Sequence, residues 1–169
     1  ALLAAVVAGF FLNRSAFYAM RANLAYNQGR RAEALALFEK AAAANNVPAP
    51  VRISYGYLLL RNGRTDEAEE QLQEALRMNL PRDLKMNAES NMALVEWKKG
   101  QLDDAVARLE NVYKDYKTTA VYGSLGYLYL EQGHLERALE FNEEAREYND
   151  SDLVIMDNLG QTYYLLKEY

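Results

Sequence analysis

The side chains able to do acid–base, nucleophilic or metal chemistry are few and scattered. The chain has no cysteine and a single histidine, His134. Disulfides, thiolate nucleophiles and thiolate metal sites are thereby excluded, as are a histidine dyad and a multi-histidine metal centre. His134 reads as a solvated polar residue in a turn between helices. Carboxylates are abundant, and several stand side by side: Glu69–Glu70, Asp103–Asp104 and Glu143–Glu144. Neighbours in sequence diverge by about 100° around a helix, so these pairs do not converge as an acid and a base. They read as solvated outer faces. Neither a P-loop nor a dinucleotide-binding glycine pattern occurs. Gly123–Gly126 reads GSLG, which lacks the nucleophile-elbow spacing and has no histidine partner. Two N-x-[ST] sequons, Asn13-Arg14-Ser15 and Asn149-Asp150-Ser151, read as chance occurrences. No catalytic, cofactor-binding or metal-binding residue is expected, and the chain is not expected to be an enzyme.

Binding is what remains. The chain has 169 residues, half of them hydrophobic and a quarter charged, which is the composition of a folded domain. Its net charge of −5 argues against a nucleic-acid binder held by general phosphate attraction. The charge is unevenly spread. The first acid is Glu33, preceded by Arg14, Arg21, Arg30 and Arg31, so a basic collar leads into an acidic body.

Residues 1–12 read ALLAAVVAGFFL, without a polar side chain. Twelve helical residues rise about 18 Å, short of the roughly 30 Å hydrocarbon core. The run starts abruptly, without a basic leader. Residues 1–13 are therefore expected to be the remnant of a membrane anchor, with the arginine collar holding the following repeats on the cytoplasmic side. An apolar helix that caps the repeats or makes an oligomer contact, and a cleaved signal peptide, stay open as alternatives.

Past Asn13 the chain repeats itself. Glycines at Gly29, Gly63, Gly100 and Gly133 are spaced 34, 37 and 33 residues apart. Seven residues before each stands a small residue: Ala22, Gly56, Ala93 and Gly126, with Gly160 keeping step in a fifth unit. Five after each stands Ala34, Ala68, Ala105 or Ala138, and twelve after each Ala41, Ala75, Val112 or Ala145. Each unit reads as two amphipathic helices, with the glycine ending the first in a left-handed conformation. The small residues sit where helix axes cross, and Leu24, Phe38, Leu59, Leu109, Leu125 and Tyr129 are among those expected to fill the layers between. Every periodic segment reads 3.6 and none alternates. Helices are predicted at about 15–28, 31–45, 50–62, 65–78, 84–99, 102–116, 120–132, 135–148 and 152–167, with N-cap clusters at Thr65–Asp66 and Asp150–Ser151. The wider second spacing, between the second and third units, predicts a longer connection or one added helical turn around Leu80–Lys85.

The segments YAMRANLAYNQGRRAEALALFEKA, ISYGYLLLRNGRTDEAEEQLQEA, SNMALVEWKKGQLDDAVARLENV and YGSLGYLYLEQGHLERALEFNEEA resemble the tetratricopeptide repeat family. Arg21, Glu96 and Asn142 depart from that pattern. The resemblance implies an all-α, right-handed superhelical solenoid of antiparallel helix pairs over residues 14–169, preceded by an apolar N-terminal helix. It comprises about four and a half repeats, at 15–48, 49–82, 83–118, 119–152 and a partial 153–169. It also implies that the first helix of each repeat lines a concave groove that takes a protein or peptide partner. The residues expected there are Asn23, Tyr26, Asn27, Ile53, Tyr57, Arg61, Asn91, Trp97, Lys98, Tyr127, Glu131, Asn158 and Gln161. Aromatic rings supply contact area at low entropic cost, and amides hydrogen-bond a peptide backbone. Tyr57 and Tyr127 could equally be inter-repeat core. Trp97 could take over the packing role that Glu96 vacates. The carboxylate clamp of some family members is not met, because Ala19 and Ser90 replace its basic residues.

The leading expectation is a non-enzymatic, membrane-anchored protein-interaction scaffold. The alternative is a self-assembling repeat protein that forms oligomers or filaments through its open ends and apolar N-terminus. A third is the accessory repeat region of an enzyme or transporter.

Overall fold

The structure, a computed structural model, describes residues 14–167. Among them nine helices occur and no strand. They are α1 (Arg14–Asn27), α2 (Arg31–Ala42), α3 (Ala49–Arg61), α4 (Thr65–Leu76), α5 (Arg82–Lys98), α6 (Leu102–Tyr113), α7 (Thr119–Glu131), α8 (Leu135–Tyr148) and α9 (Leu153–Lys167). The predicted pairs are present with their boundaries nearly in place. The anomaly in spacing resolves as an added turn: α5 has 17 residues where α3 has 13.

The four repeat glycines all adopt the left-handed conformation, with φ of 75°, 76°, 81° and 74° at Gly29, Gly63, Gly100 and Gly133. Where the helix ends, the amide two positions beyond its last turn reaches back to a freed carbonyl. Arg30 N donates to Ala25 O (2.9 Å), Arg64 N to Leu59 O (3.0 Å) and Gln101 N to Glu96 O (2.9 Å). A side chain other than glycine would meet its own carbonyl in that conformation. The tight reversal lays each second helix antiparallel on its first.

Helix starts use different devices. Thr118 caps α7 by accepting from Val121 N, and Asp152 caps α9 by accepting from Val154 N and Ile155 N. Asp152, rather than the expected Asp150–Ser151 pair, is therefore the cap of α9. Thr65 begins α4 without acting as its cap.

The chain divides into two compact units, one reaching to Asn91 and the other starting at Met92, so that α5 contributes to both. In the first unit α1 packs on α2, α3 on α4, and α3 also on α2 and α1. Phe38 stacks on Tyr55 across the α2–α3 contact, with ring centroids 6.2 Å apart. In the second unit the end of α5 and helices α6 to α9 enclose one apolar core. It contains Ala93, Val106, Leu109, Leu125, Leu128, Phe141 and Ile155.

The small positions do what their register requires. Ala22, Ala34, Ala41, Ala68, Ala75, Ala93, Ala105, Ala138 and Ala145 are all fully buried, allowing helix axes to approach closely. In two repeats the residue nine positions after the turn glycine packs over the glycine seven before it. A Cβ placed on Gly56 would come within 2.9 Å of Leu72 Cγ, and one on Gly126 within 2.0 Å of Asn142 Oδ1.

The membrane-associated location expected from the sequence is corrected. Among the described residues no helix is long and apolar enough to cross a membrane. The apolar run at 1–13, which motivated the anchor, lies outside the described residues. Leu24 also departs from its expected place in the packing layers, since it is exposed on α1 beside Phe17 and Met20.

Candidate functional site

Among the aromatic residues of the first helices, four fall at two register positions, three and six residues before the turn glycine. Tyr26 and Trp97 occupy the former; Tyr57 and Tyr127 occupy the latter in the next repeat. Each unit brings one such pair together. In the first unit Tyr26 on α1 lies near enough to Tyr57 on α3 to help push its hydroxyl up. In the second unit the Trp97 ring on α5 meets the Tyr127 ring on α7 edge-on, with centroids 5.3 Å apart and planes at 82°. Edge-to-face contact sets the positive rim of one ring against the negative face of the other. Both pairs are only partly covered, which leaves aromatic surface for a partner.

Charged groups flank each pair. Burial pushes the Tyr57 hydroxyl up, and its neighbour Tyr26 adds to this; Arg61 and Arg31 pull the other way. Tyr127 is pushed up to about 12, first by burial and then by its hydrogen bond to Glu131. The ammonium of Lys98 lies 4.0 Å from the centre of the Trp97 ring, a cation–π contact that leaves the charge in water.

The other groove residues divide by burial. Asn23, Asn27, Arg61, Lys98, Glu131 and Gln161 are exposed, while Ile53, Asn91 and Asn158 are buried. Ile53 is part of the apolar interior. Asn91 is bonded through Nδ2 to Asn87 Oδ1 (2.9 Å), and Asn158 donates Nδ2 to Gly123 O (2.8 Å). Burial turns these two amides inward, where they satisfy neighbouring polar groups. Trp97 rests on the second unit's core and keeps one part open. Glu96 beside it holds Arg108 of α6 through both carboxylate oxygens, with Nη2–Oε1 at 2.6 Å and Nε–Oε2 at 2.9 Å. A two-pronged ion pair thus stands where the resemblance leads one to expect an aromatic contact.

Among the described residues no group of three or more histidine, cysteine, aspartate or glutamate side chains is placed to hold a metal ion. His134 is exposed at the turn before α8, and Gly123–Gly126 lies within helix α7.

A tetratricopeptide repeat family model matches residues 19–79, 55–88 and 90–152. The chain belongs to the tetratricopeptide repeat (TPR) family. Among curated proteins no sequence relative matches. Solved structures share the fold. MamA 41-end from Desulfovibrio magneticus RS-1 superposes with a TM-score of 0.69 at 19% identity, over 92% of this chain and 86% of that one. YrrB, a TPR protein with an unusual peptide-binding site, gives 0.63 at 20% identity, over 95% and 83%. The APC/C hetero-tetramer Cut9–Hcn1 gives 0.75 at 14% identity, over 86% of this chain and 29% of that one.

Within the second TPR unit, one polar cluster escaped sequence reasoning. Glu143 and Glu144 diverge as adjacent helical residues must, yet both are engaged. Glu143 accepts from the Tyr163 hydroxyl on α9 (2.7 Å). Glu144 Oε1 accepts from Tyr113 on α6, from Tyr122 on α7 (2.9 Å) and from Lys117 (3.3 Å). Tyr113 and Tyr122 stack edge-on at 5.3 Å, and Phe141 packs on both. The signal available in the sequence was the tyrosine at 113, at the end of α6, and that at 122, near the start of α7. A carboxylate late in α8, 31 and 22 residues further along the chain, is not an obvious partner for either.

This cluster makes stability depend on pH. The Tyr113 hydrogen bond is the main cause that holds the Glu144 carboxyl below its ordinary value of 4.5, with Tyr122 and Lys117 adding to it and burial opposing. A lowered folded-state value means the unfolded chain binds the proton more readily. The contribution is complete above about pH 4.5 and is lost as pH falls through the lower folded value. Glu144→Gln should therefore destabilise the second unit at pH 7 and lose that deficit as pH falls through the lowered folded-state value. Urea midpoints of both proteins across this range check the expectation.

Proposed function

We propose that this TPR chain is a non-enzymatic interaction scaffold that holds a peptide segment of a partner protein against the first helices of its repeats. One observation carries the reading: aromatic residues recur at the same repeat register in both units, Tyr26 with Tyr57 and Trp97 with Tyr127, and all four keep part of their surface open, the second pair in edge-to-face contact. Partly open aromatic pairs offer rigid area that a ligand can bury at low entropic cost. Exposed amides stand on the first helices within each unit, Asn23 and Asn27 in the first and Gln161 in the second. The peptide-binding site of YrrB, which shares the fold, supports the same kind of use here.

The test is selection of a random 12-residue phage-display library on the full chain, followed by titration of synthesised winners. Affinity should fall by about tenfold or more in Tyr57→Ala or in Trp97→Ala, with helicity by circular dichroism preserved. Trp97 is the sole tryptophan, so its emission reports contact in the second unit directly. Failure of any sequence to enrich, or affinity unchanged in both variants, defeats the proposal.

A second reading, self-assembly, is favoured by α9. Met156 and Tyr164 are exposed at the register where Tyr122 and Leu130 of α7 are buried. Light-scattering mass of the full chain separates the readings: a monomer at every concentration removes self-assembly.

A further inference from the structure

Within the repeats, the register of Gly126 is where a second helix crosses the first. A Cβ on Gly56 would meet Leu72 of α4, and one on Gly126 would meet Asn142 of α8. On either side of Gly126, Tyr122 and Tyr129 are buried against Phe141 of α8, with ring centroids 5.5 and 5.2 Å away. Ala22 and Ala93 hold the same register and are fully buried. Gly160 of α9 holds it too, and there the space is open: a Cβ would meet nothing within 4 Å. Met156 and Tyr163, at the register of Tyr122 and Tyr129, are exposed.

The other side of α9 lies on α7 and α8, and Ile155, Asn158, Leu159 and Thr162 are buried there. At about 100° per residue, Leu153, Met156, Gly160, Tyr163, Tyr164 and Lys167 fall on the opposite side, within about 100° of one another. Leu153, Met156, Tyr163 and Tyr164 are 85%, 42%, 41% and 65% exposed. With about 200 Å² for a whole side chain of this size, the face offers on the order of 500 Å² per copy. Two copies would bury about 1,000 Å², the threshold of a specific interface. The charges of α9 are Asp157 and Lys167, which cancel, so two copies of the helix do not repel.

We propose that α9 is a two-fold dimerisation helix: α9 of a second copy crosses it antiparallel at Gly160, on the face that a second helix covers in the other repeats. The proposal rests on the self-assembly reading and names its contact surface. Without a side chain at the crossing, the two backbones can approach closely. The residues on either side are self-complementary. An antiparallel crossing at Gly160 sets Met156 of each copy against Tyr164 of the other, and Leu153 against Lys167. The Met156 sulfur then lies on an aromatic ring, and the Lys167 stem covers Leu153 while its ammonium stays in water. Such a contact uses the same face on both copies and closes at two.

Across about 1–300 μM, the range that a threshold-sized interface calls for, the light-scattering mass of the full chain should rise to that of two chains and stop there. Gly160→Arg should raise the dissociation constant by about tenfold or more. It should leave the circular dichroism of the monomer unchanged, because the added side chain enters open space. Met156→Glu, at an exposed position, should weaken the dimer in the same way. The chain has no cysteine, so Gly160→Cys introduces a single thiol. Under oxidation it should join two copies, since helices that cross there meet within disulfide reach, whereas Leu24→Cys on α1 should not. A mass that keeps growing with concentration, or a dimer that both variants leave intact and Gly160→Cys does not join, overturns the α9 pairing and leaves self-assembly standing. A monomer at every concentration removes both, and gives the face to another segment of this chain or to a helix of another protein.

Discussion

Gly126→Ala should destabilise the second unit by about 2 kcal/mol, and adding Asn142→Ala should restore most of it. At a helix interior, alanine in place of glycine ordinarily gains about 0.5–1 kcal/mol. Here that gain is overwhelmed. The space a Cβ needs is occupied by Asn142 Oδ1 at 2.0 Å and Cγ at 3.1 Å, with Asn158 Nδ2 at 3.4 Å behind them. Asn142 is fully buried and its Nδ2 is bonded to Thr162 Oγ1 (3.2 Å), whose hydroxyl in turn donates to Asn158 O (2.7 Å). Rotating the amide away breaks that chain and strands polar atoms in the interior. Overpacking without an escape costs about 1–3 kcal/mol, and a broken buried hydrogen bond adds to it.

The rescue follows from a detail of the same amide. Its Oδ1 is buried without a hydrogen-bond partner, tucked against the helix backbone where Gly126 lacks a side chain. Removing the amide deletes the collision together with an unsatisfied acceptor. The two substitutions should therefore couple by about 1 kcal/mol or more in a double-mutant cycle. Urea titration followed by Trp97 emission measures this in the right unit. Additive effects would mean that the alanine is accommodated by a shift of α8 rather than blocked by Asn142.

How much of this was legible beforehand differs by kind of contact. The turn glycines and small residues gave the helices, their pairing and the added turn in α5, because each is a local demand on the backbone: a positive φ or a close crossing. Asn142 announced itself only as a departure from the repeat. It stands at the register of Phe38, Leu72 and Leu109, and nothing in a one-dimensional pattern shows that a glycine across the pair has made room for it. Which first-helix residues are exposed was not readable residue by residue. A rotation of a few tens of degrees decides whether Asn91 and Asn158 face a ligand or bond to their own neighbours, and amides are used for both. The Tyr113–Tyr122–Glu144 cluster was invisible because three separate helices contribute to it.

The limit of register reasoning is sharpest at the position five residues before each turn glycine, and it yields the second large expected effect. Leu24, Leu58, Val95 and Leu128 share that position. Leu58, Val95 and Leu128 are 2%, 1% and 0% exposed, whereas Leu24 is 55% exposed. Residue type and register are the same for the three leucines; what differs is the neighbour. A first helix gains cover on this face from the repeat before it, and α1 opens the series of described helices. Leu58→Ala and Leu128→Ala should each cost about 3–4 kcal/mol, from lost transfer energy and the cavity left in a close-packed core. Leu24→Ala should fall within about 0.5 kcal/mol of the wild type, because its side chain gives up little burial. Urea denaturation by circular dichroism for Leu58 and Leu24, and by Trp97 emission for Leu128, makes the comparison. A cost above about 2 kcal/mol for Leu24→Ala would show that this face of α1 is covered in solution. The exposed stripe of Phe17, Met20 and Leu24 would then be a contact surface and not an outer wall.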